Sequence, residues 1–562
     1  MKKKSFWYTL TYYNAIPLFL FGIALIIFRN YIFKAFCFIT QVTEQSRFYS
    51  PLYYIVNIGL TALWFLITFG SYRDQHYKAL TGRNYRKDRT KFHKTYSELV
   101  NFFSHNDKYK MDVEKLPMED WHTADGVILC KSKDLTGNYR LVKRDSNANG
   151  NLIAFGLPGS GKSTTQAATT AIRFNTKLKK GGCGVFAISI KGDLLNFVHG
   201  KRTNIKVFTP DREEGSCHYD PLLGVEQMSW TERRVFAENM SIIICPDESG
   251  DNSAFFVGGA RDYLAAVILY LLHLHDSGQR DGALKFPEII DMILQNNVFD
   301  LTLEIKNCNN TIPGEYSNGY IGSSEKNVSG IWSHLCKKIR PFNSGAIRTL
   351  FDGKGNCITP EDLNTGDVYI DVPQEKYQVY SSAMGLIISN FLMYEMAKKD
   401  VSSQADLVPH LYLLDEAVQL HLDFDKILGP AMMTLRSKKT SIFLLIQSIA
   451  SLEACYGDAH AREIIDLCAY ISVFNAQDPK SREYFQKLVG RRKMLKRSTS
   501  ISTTDNKTDG TSNISINEVD EYIFESADFG DLTIRNGKKI IHQVLVYANG
   551  KYILGETTPC YE

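Results

Sequence analysis

Two stretches near the start of the chain carry no charge, Ser5 to Phe28 and Pro51 to Tyr72. Each exceeds the roughly 20 apolar residues that cross a bilayer core. The pattern predicts two transmembrane helices, about 8–28 and 52–70. Further on, short apolar runs of strand length alternate with longer amphipathic segments. Leu152–Phe155, Gly184–Ile190, Asp367–Val372, Leu411–Leu414, Ser441–Ile446 and Ala469–Phe474 read as buried strands. Strands spaced by helices predict a parallel sheet covered on both faces.

Between Val225 and Pro341 the period turns helical. Ser229 and Glu232 have the spacing of a capping box, and Pro287 sits at a helix start. Tyr263–Leu272 is wholly apolar but too short for a bilayer, which predicts a buried core helix. Tyr377–Lys399 reads as a long amphipathic helix, and Val544–Leu554 as a hairpin turning at Asn549-Gly550. The Ser/Thr/Asn-rich tract from Arg491 to Ser515 has too little apolar surface to fold alone, so a flexible loop is expected near 497–515. The implied order is an anchor over 1–72, a connector over 73–149 with strand pairs near 126–131 and 139–143, and a nucleotide-binding domain in two parts, 150–224 and 342–562. An all-helical insertion over 225–341 separates the two parts.

Charge orients the anchor. Three lysines precede the first span, and Arg73, Lys78, Arg83, Arg86, Lys87, Arg89, Lys91 and Lys94 follow the second. The stretch between the spans, with a short external loop around Phe36 to Ser50, holds only Arg29, Lys34 and Arg47, so both termini are predicted to be cytoplasmic. The first run lacks a small-x-small cleavage pattern and reads as a retained anchor rather than a signal peptide. Across the chain Lys and Arg exceed Asp and Glu by four (65 − 61), so net charge gives no argument for nucleic acid. The 11 cysteines show no CxxC or metal-ligand spacing, and Cys183, Cys245 and Cys468 lie in apolar runs as reduced core residues. No nuclease, relaxase or polymerase constellation is visible, and His273 and His275 read as structural.

The chemistry centres on Asn151 to Thr165, where Gly156, Pro158, Gly159, Ser160, Gly161, Lys162 and Ser163 fall in a full match to G-x-x-x-x-G-K-[ST]. An apolar strand precedes it and a helix opens at Thr164. Glycines let backbone N–H groups wrap phosphates, Lys162 faces the β/γ-phosphates, and Ser163 offers a hydroxyl to Mg²⁺. ATP with Mg²⁺ is the expected ligand. Leu411–Leu414 ends in Asp415-Glu416, the form of a second nucleotide-site strand. Asp415 is predicted to hold the Mg²⁺ shell and Glu416 to activate water. Gln447, closing the next strand, is placed to sense the γ-phosphate. Arg436, beside Lys438 and Lys439, is the candidate arginine that completes a neighbour's site.

The order of two spans, GLPGSGKST, KGDLL, HYDPL (218–222), a helical insert, DVPQEKY, LLDEA, LIQSIASLEACYG (445–457) and a final PCYE resembles the VirD4/TraG type IV coupling proteins. The resemblance implies an inner-membrane ATPase with a RecA-like P-loop domain, an all-helical insertion and a homohexameric ring. It implies partners as well: a relaxase with its single-stranded DNA, or a secreted protein, and the type IV secretion channel. The stretch Leu435–Thr440 departs from the family in lacking a glycine after Arg436. Two alternatives are an FtsK/HerA-like DNA translocase and a substrate receptor whose nucleotide site only regulates assembly. The first would bring a DNA-reading C-terminal module, and the second has no use for Glu416.

Overall fold

The computed structural model describes residues 28–38, 51–63 and 118–560, apart from 121–122, 134–138, 149, 191–192, 248–252, 321–322, 399–406, 421, 503–510, 537–538 and 558–559. Contacts divide the chain into two compact units. One is Met1–Asp107 with Lys493–Glu521, and the other Lys108–Arg492 with Tyr522–Glu562.

In the first unit, residues 28–38 and Pro51–Leu63 are helical. Phe33 meets Tyr53 edge to face at 5.0 Å. The first helix carries Arg29 and Lys34 past the expected end of the span at residue 28 and into the expected loop. Residues 8–27 and 64–70 of the two expected spans, and the basic stretch from Arg73 to Lys94, lie outside the described residues.

The second unit is built on a mixed sheet. It opens with β1 (Met118–Glu119), β2 (Val127–Lys133) and β3 (Tyr139–Arg144), followed by β4 (Asn151–Phe155), β5 (Val185–Ile190) and β6 (Ile205–Phe208). A short pair, β7 (His218–Tyr219) and β8 (Cys357–Ile358), brackets the helical insertion, and β9 (Asp367–Val372), β10 (His410–Asp415), β11 (Thr440–Ile446) and β12 (Cys468–Val473) follow. Between Lys493 and Glu521 the chain belongs to the first unit, where β13 (Arg491–Ser502) and β14 (Thr511–Tyr522) lie, and the second unit resumes with β15 (Thr533–Asn536), β16 (Lys539–Ala548) and β17 (Lys551–Glu556). Sheet order is β1-β3-β2-β17-β16-β12-β4-β11-β10-β5-β9-β6, with β15 beside β16. The seven strands from β12 to β6 run parallel.

Period-2 alternation explains why those strands read as continuous apolar runs. Ile153, Phe155, Phe186, Ile188, Tyr412 and Leu414 enter one core, while Leu152, Ala154, Val185, Ala187, Leu411 and Leu413 enter the other. Both faces are covered, so neither set can be polar. The first core continues without a break into the insertion. The helix Ser253–Asp276 is long and apolar enough to cross a membrane by composition, yet 72% of its most apolar stretch is buried, as a core helix requires. Ser229 and Glu232 close the expected capping box, with Ser229 N–H donating to Glu232 Oε2 at 2.8 Å. The insertion's ends are clasped by the parallel pair His218↔Cys357, so its helices run on past residue 341 to Gly345–Leu350.

Two expectations change. The strands at 127–144, expected in a connector, extend the sheet's edge through Lys131↔Glu556. The expected loop at 497–515 is largely strand: β13 and β14 form a two-stranded sheet, and only 503–510 of it lies outside the described residues. Paired strands satisfy backbone N–H and C=O groups without an apolar core. The hairpin turn at Asn549-Gly550 is as expected, with φ of 51° and 75°.

Candidate nucleotide site

All five residues of β4 are buried, and the chain leaves the strand at Gly156. Gly156 N–H donates to Ile446 O at 3.1 Å. A Cβ there would lie 2.6 Å from Ser160 Oγ and 2.9 Å from Phe474 Cβ, so only glycine fits. Pro158 and Ser160 lie in the tight loop that follows, where Ser160 N–H donates to Leu157 O at 3.1 Å. Gly159 and Gly161 adopt left-handed φ of 79° and 93°. Helical turns begin at Lys162 and continue to Arg173. Thr164 and Thr165 turn their hydroxyls back onto Gly161 O, at 3.3 and 2.6 Å.

Lys162 is 5% exposed, and its ammonium donates to the carbonyl oxygens of Gly156 and Leu157. Burial lowers its pKa, opposed by the charges of Asp415 and Glu416. Sheet order sets this proximity. β11 lies between β4 and β10, so the loop after β4, the end of β11 and the acidic end of β10 share one edge. Ligands of open parallel sheets bind at such carboxyl ends. Ser163 Oγ donates to Asp415 Oδ2 at 3.1 Å, and Glu416 N–H donates to Asp415 Oδ1 at 3.1 Å. Burial and the charge of Glu416 push the Asp415 carboxyl up to about 6, against the pull of Lys162 and the Ser163 bond.

Glu416 stands at φ 50°, a left-handed backbone uncommon for glutamate. Gln447 Nε2 donates to both of its carboxylate oxygens, at 3.1 and 3.0 Å. The residues expected to bind phosphate and metal, and Glu416 with Gln447, are thus brought together. Arg436 is not among them. It is exposed on the turn Leu435–Lys438 before β11, while the site lies beyond that strand's other end. Seven strand residues at about 3.3 Å each put it about 20 Å away within its own chain. The turn closes through Lys439 at φ 54°, so the chain does without a glycine there.

Two residues that the sequence reading passed over complete the site. Tyr377 Oη, buried, donates to Asp415 O at 3.3 Å, and Asn475 Oδ1 accepts the Leu157 N–H at 2.9 Å. Both had a signal: Tyr377 ends DVPQEKY, and Asn475 follows an apolar strand as Gln447 does.

An apolar parallel sheet with one strand between phosphate-loop strand and acidic strand defines a P-loop protein of RecA-like fold. Comparison narrows the class. The chain matches the family described as Type IV secretory system Conjugative DNA transfer over residues 110–524, and it belongs to that family of VirD4/TraG-type coupling proteins. It is 23% identical over 297 residues to the type IV secretion system-coupling protein VirD4 of Bartonella henselae, a match covering 51% of this chain and 45% of that protein. For VirD4 of Bartonella quintana the identity is 23% over 256 residues, covering 44% and 38%. The match therefore spans less than half the length of these curated relatives. Among solved structures, unbound conjugative coupling protein TrwBdeltaN70 has a TM-score of 0.57 at 14% identity, over 78% of this chain and 88% of that one. TrwB in complex with the ATP analogue ADPNP has a TM-score of 0.56 at 13% identity, over 78% and 90%. At these identities the likeness is one of fold.

Proposed function

We propose that this protein is an inner-membrane ATPase that couples a conjugative DNA or protein substrate to a type IV secretion channel. The observation that carries the reading is the convergence of Lys162, Ser163, Asp415 and Glu416 on one sheet edge. A site meant only to hold a nucleotide has no need of Glu416.

The donor set suits Mg²⁺. A hydroxyl and a carboxylate are hard oxygen ligands, and a cation beside Asp415 relieves its crowding by Glu416. Ser163 and Asp415 would hold the ion, which when bound neutralises charge on the β- and γ-phosphate oxygens. TrwB has been solved with ADP and Mg²⁺, which supports the same pair of ligands here. Backbone N–H groups from Gly159 to Thr164 would cradle the phosphates, with Lys162 turned onto the β/γ oxygens. Glu416 takes the proton of the attacking water as the water oxygen bonds to the γ-phosphorus. The bond from that phosphorus to the bridging oxygen breaks, and ADP leaves.

The proposed substrate is a relaxase with attached single-stranded DNA, and the proposed assembly is a homohexamer with Arg436 reaching the neighbour's site. The spans 8–28 and 52–70 would anchor it with both termini in the cytoplasm. ATP hydrolysis by the detergent-purified full chain, with single-stranded DNA added, tests the reading. Wild-type protein is expected to hydrolyse ATP and Glu416→Gln protein to bind it without turnover. Equal hydrolysis by both would remove Glu416 as the base, and no hydrolysis by the wild-type protein would leave the nucleotide site a regulatory one.

A further inference from the structure

We infer that Gln447 is a positioning residue, holding the Glu416 carboxylate in the orientation from which it acts on water. The inference rests on the reading of Glu416 as the base. A glutamine amide has two N–H donors and one acceptor oxygen. Gln447 Nε2 bonds Oε1 and Oε2 of Glu416 at 3.1 and 3.0 Å, so one amide N–H is shared between both oxygens of one carboxylate. The shared N–H straddles the carboxylate and fixes the plane in which its two oxygens lie. In this geometry the glutamine addresses the base.

Both partners are anchored to hold that geometry. Gln447 stands between the buried strand β11 and the helix that opens at Ile449, which Ser448 caps by accepting the Ser451 N–H at 3.1 Å. Glu416 leaves β10 at φ 50°, and its carbonyl accepts the Gln419 N–H at 2.9 Å. That backbone fixes where the side chain starts, but its rotatable bonds still need a tether. Tethering uses two of the roughly four lone-pair directions on the carboxylate and leaves two for water. The segments that follow are tied again, Cys455 Sγ to Val418 O at 3.3 Å. They also wall a cavity of about 560 Å³ against Pro246 and Asp247 of the insertion. The clamp is thus held from both sides.

A double-mutant cycle on the full chain tests this, reading kcat, the KM for ATP and the affinity for ADP. Gln447→Ala should lower kcat about 10–100-fold, the cost of a misplaced catalytic group. KM and ADP affinity should stay within about twofold, which also certifies the fold. In a Glu416→Ala background the same change should cost nothing further, because residues acting as a unit are not additive. A further fall there means that Gln447 meets the phosphate directly and overturns the inference. Unchanged or raised kcat in Gln447→Ala overturns it too. Gln447→Glu, of equal length but with no donors for a carboxylate, provides a second arm. It should lose at least as much kcat, and wild-type turnover from it would refute the clamp. Wild-type turnover by Glu416→Ala alone would instead sink the reading of Glu416 as base, a separate outcome.

Discussion

The two ends of β10 and β11 carry polar clusters built from similar residues with opposite consequences. At the amino ends Glu395, from the helix Tyr377–Ala397, accepts from Thr440 Oγ1 at 3.1 Å and Lys398 Nζ at 2.8 Å, and pairs with His410 Nδ1 at 2.8 Å. Glu395, His410 and Thr440 are at most 1% exposed. Burial alone would raise the Glu395 carboxyl, but the bond and charge of His410 and the charge of Lys398 hold it below the usual range. At the carboxyl ends Asp415 has a hydroxyl and one backbone N–H, with the charge of Glu416 beside it and its carboxyl at about 6. One end closes its charges on themselves. The other leaves two carboxylates crowded, and crowding is what a bound cation and a phosphate-facing lysine relieve. Perturbed carboxyls gather at functional sites for this reason.

The contrast can be broken by exchanging roles. Glu416→Gln should lower ATP hydrolysis about 10²–10⁴-fold, the scale of a general base. The dissociation constant for a fluorescent ATP analogue and the melting temperature should stay near wild type. Glu395→Ala should do the opposite. Removing one partner of a buried pair costs about 3–5 kcal/mol, so melting should come several degrees lower while the folded protein keeps its nucleotide affinity. The acid limb follows by sign. A lowered carboxyl contributes stability above its unfolded value, near 4.5, and that stability fades as pH falls through the folded value. Glu395→Gln protein should lack this extra acid sensitivity. If Glu395→Ala abolished nucleotide binding in folded protein, the two ends would not be separate. Lys162→Ala comes next in size. One hydrogen-bonded charge is worth about 1.5–3 kcal/mol, so nucleotide affinity by calorimetry should fall roughly 10–100-fold with no shift in melting.

The carboxyl-end cluster was largely legible because its parts are local. A strand ending in a glycine-rich loop, one ending in Asp415-Glu416 and one ending in Gln447 are each contiguous in sequence, and parallel pairing puts such ends on one edge. The same logic located the helical insertion and the Asn549-Gly550 turn. What a side chain turns toward is not local, so the meeting of the Gln447 amide with Glu416 could not be read from the strand end. The contact of Tyr377, though not the residue itself, was hidden for the same cause: it is 38 residues from Asp415 in sequence. The amino-end cluster was not legible at all, since Glu395, His410 and Thr440 occupy three separate elements with no motif. The sheet edge was missed because Lys131 pairs with Glu556, far beyond any local pattern. The Ser/Thr tract misled because low apolar content excludes a core but not a paired ribbon.

The smallest expected effect is also the most direct measure of crowding at the carboxyl end. An Asp415 carboxyl near 6 is about ten-elevenths ionised at pH 7 and about one-eleventh at pH 5. Metal ligands must be deprotonated, so each ion bound at pH 5 displaces a proton from most molecules. The apparent Mg²⁺ affinity of the nucleotide complex should therefore weaken about tenfold between pH 7 and pH 5 through this group alone. An ordinary aspartate would still be mostly ionised at pH 5 and would contribute almost none of that loss. Titrating Mg²⁺ against the ADP-bound protein at both pH values measures the change, and Asp415→Asn protein supplies the control. Protonation of the nucleotide's own phosphates is common to both proteins, so the difference between them isolates Asp415. The variant should bind Mg²⁺ weakly at both pH values with a flatter dependence. An identical slope in the two proteins would mean that Asp415 is ionised throughout, and that the two ends of these strands do not differ in the way their hydrogen bonds suggest.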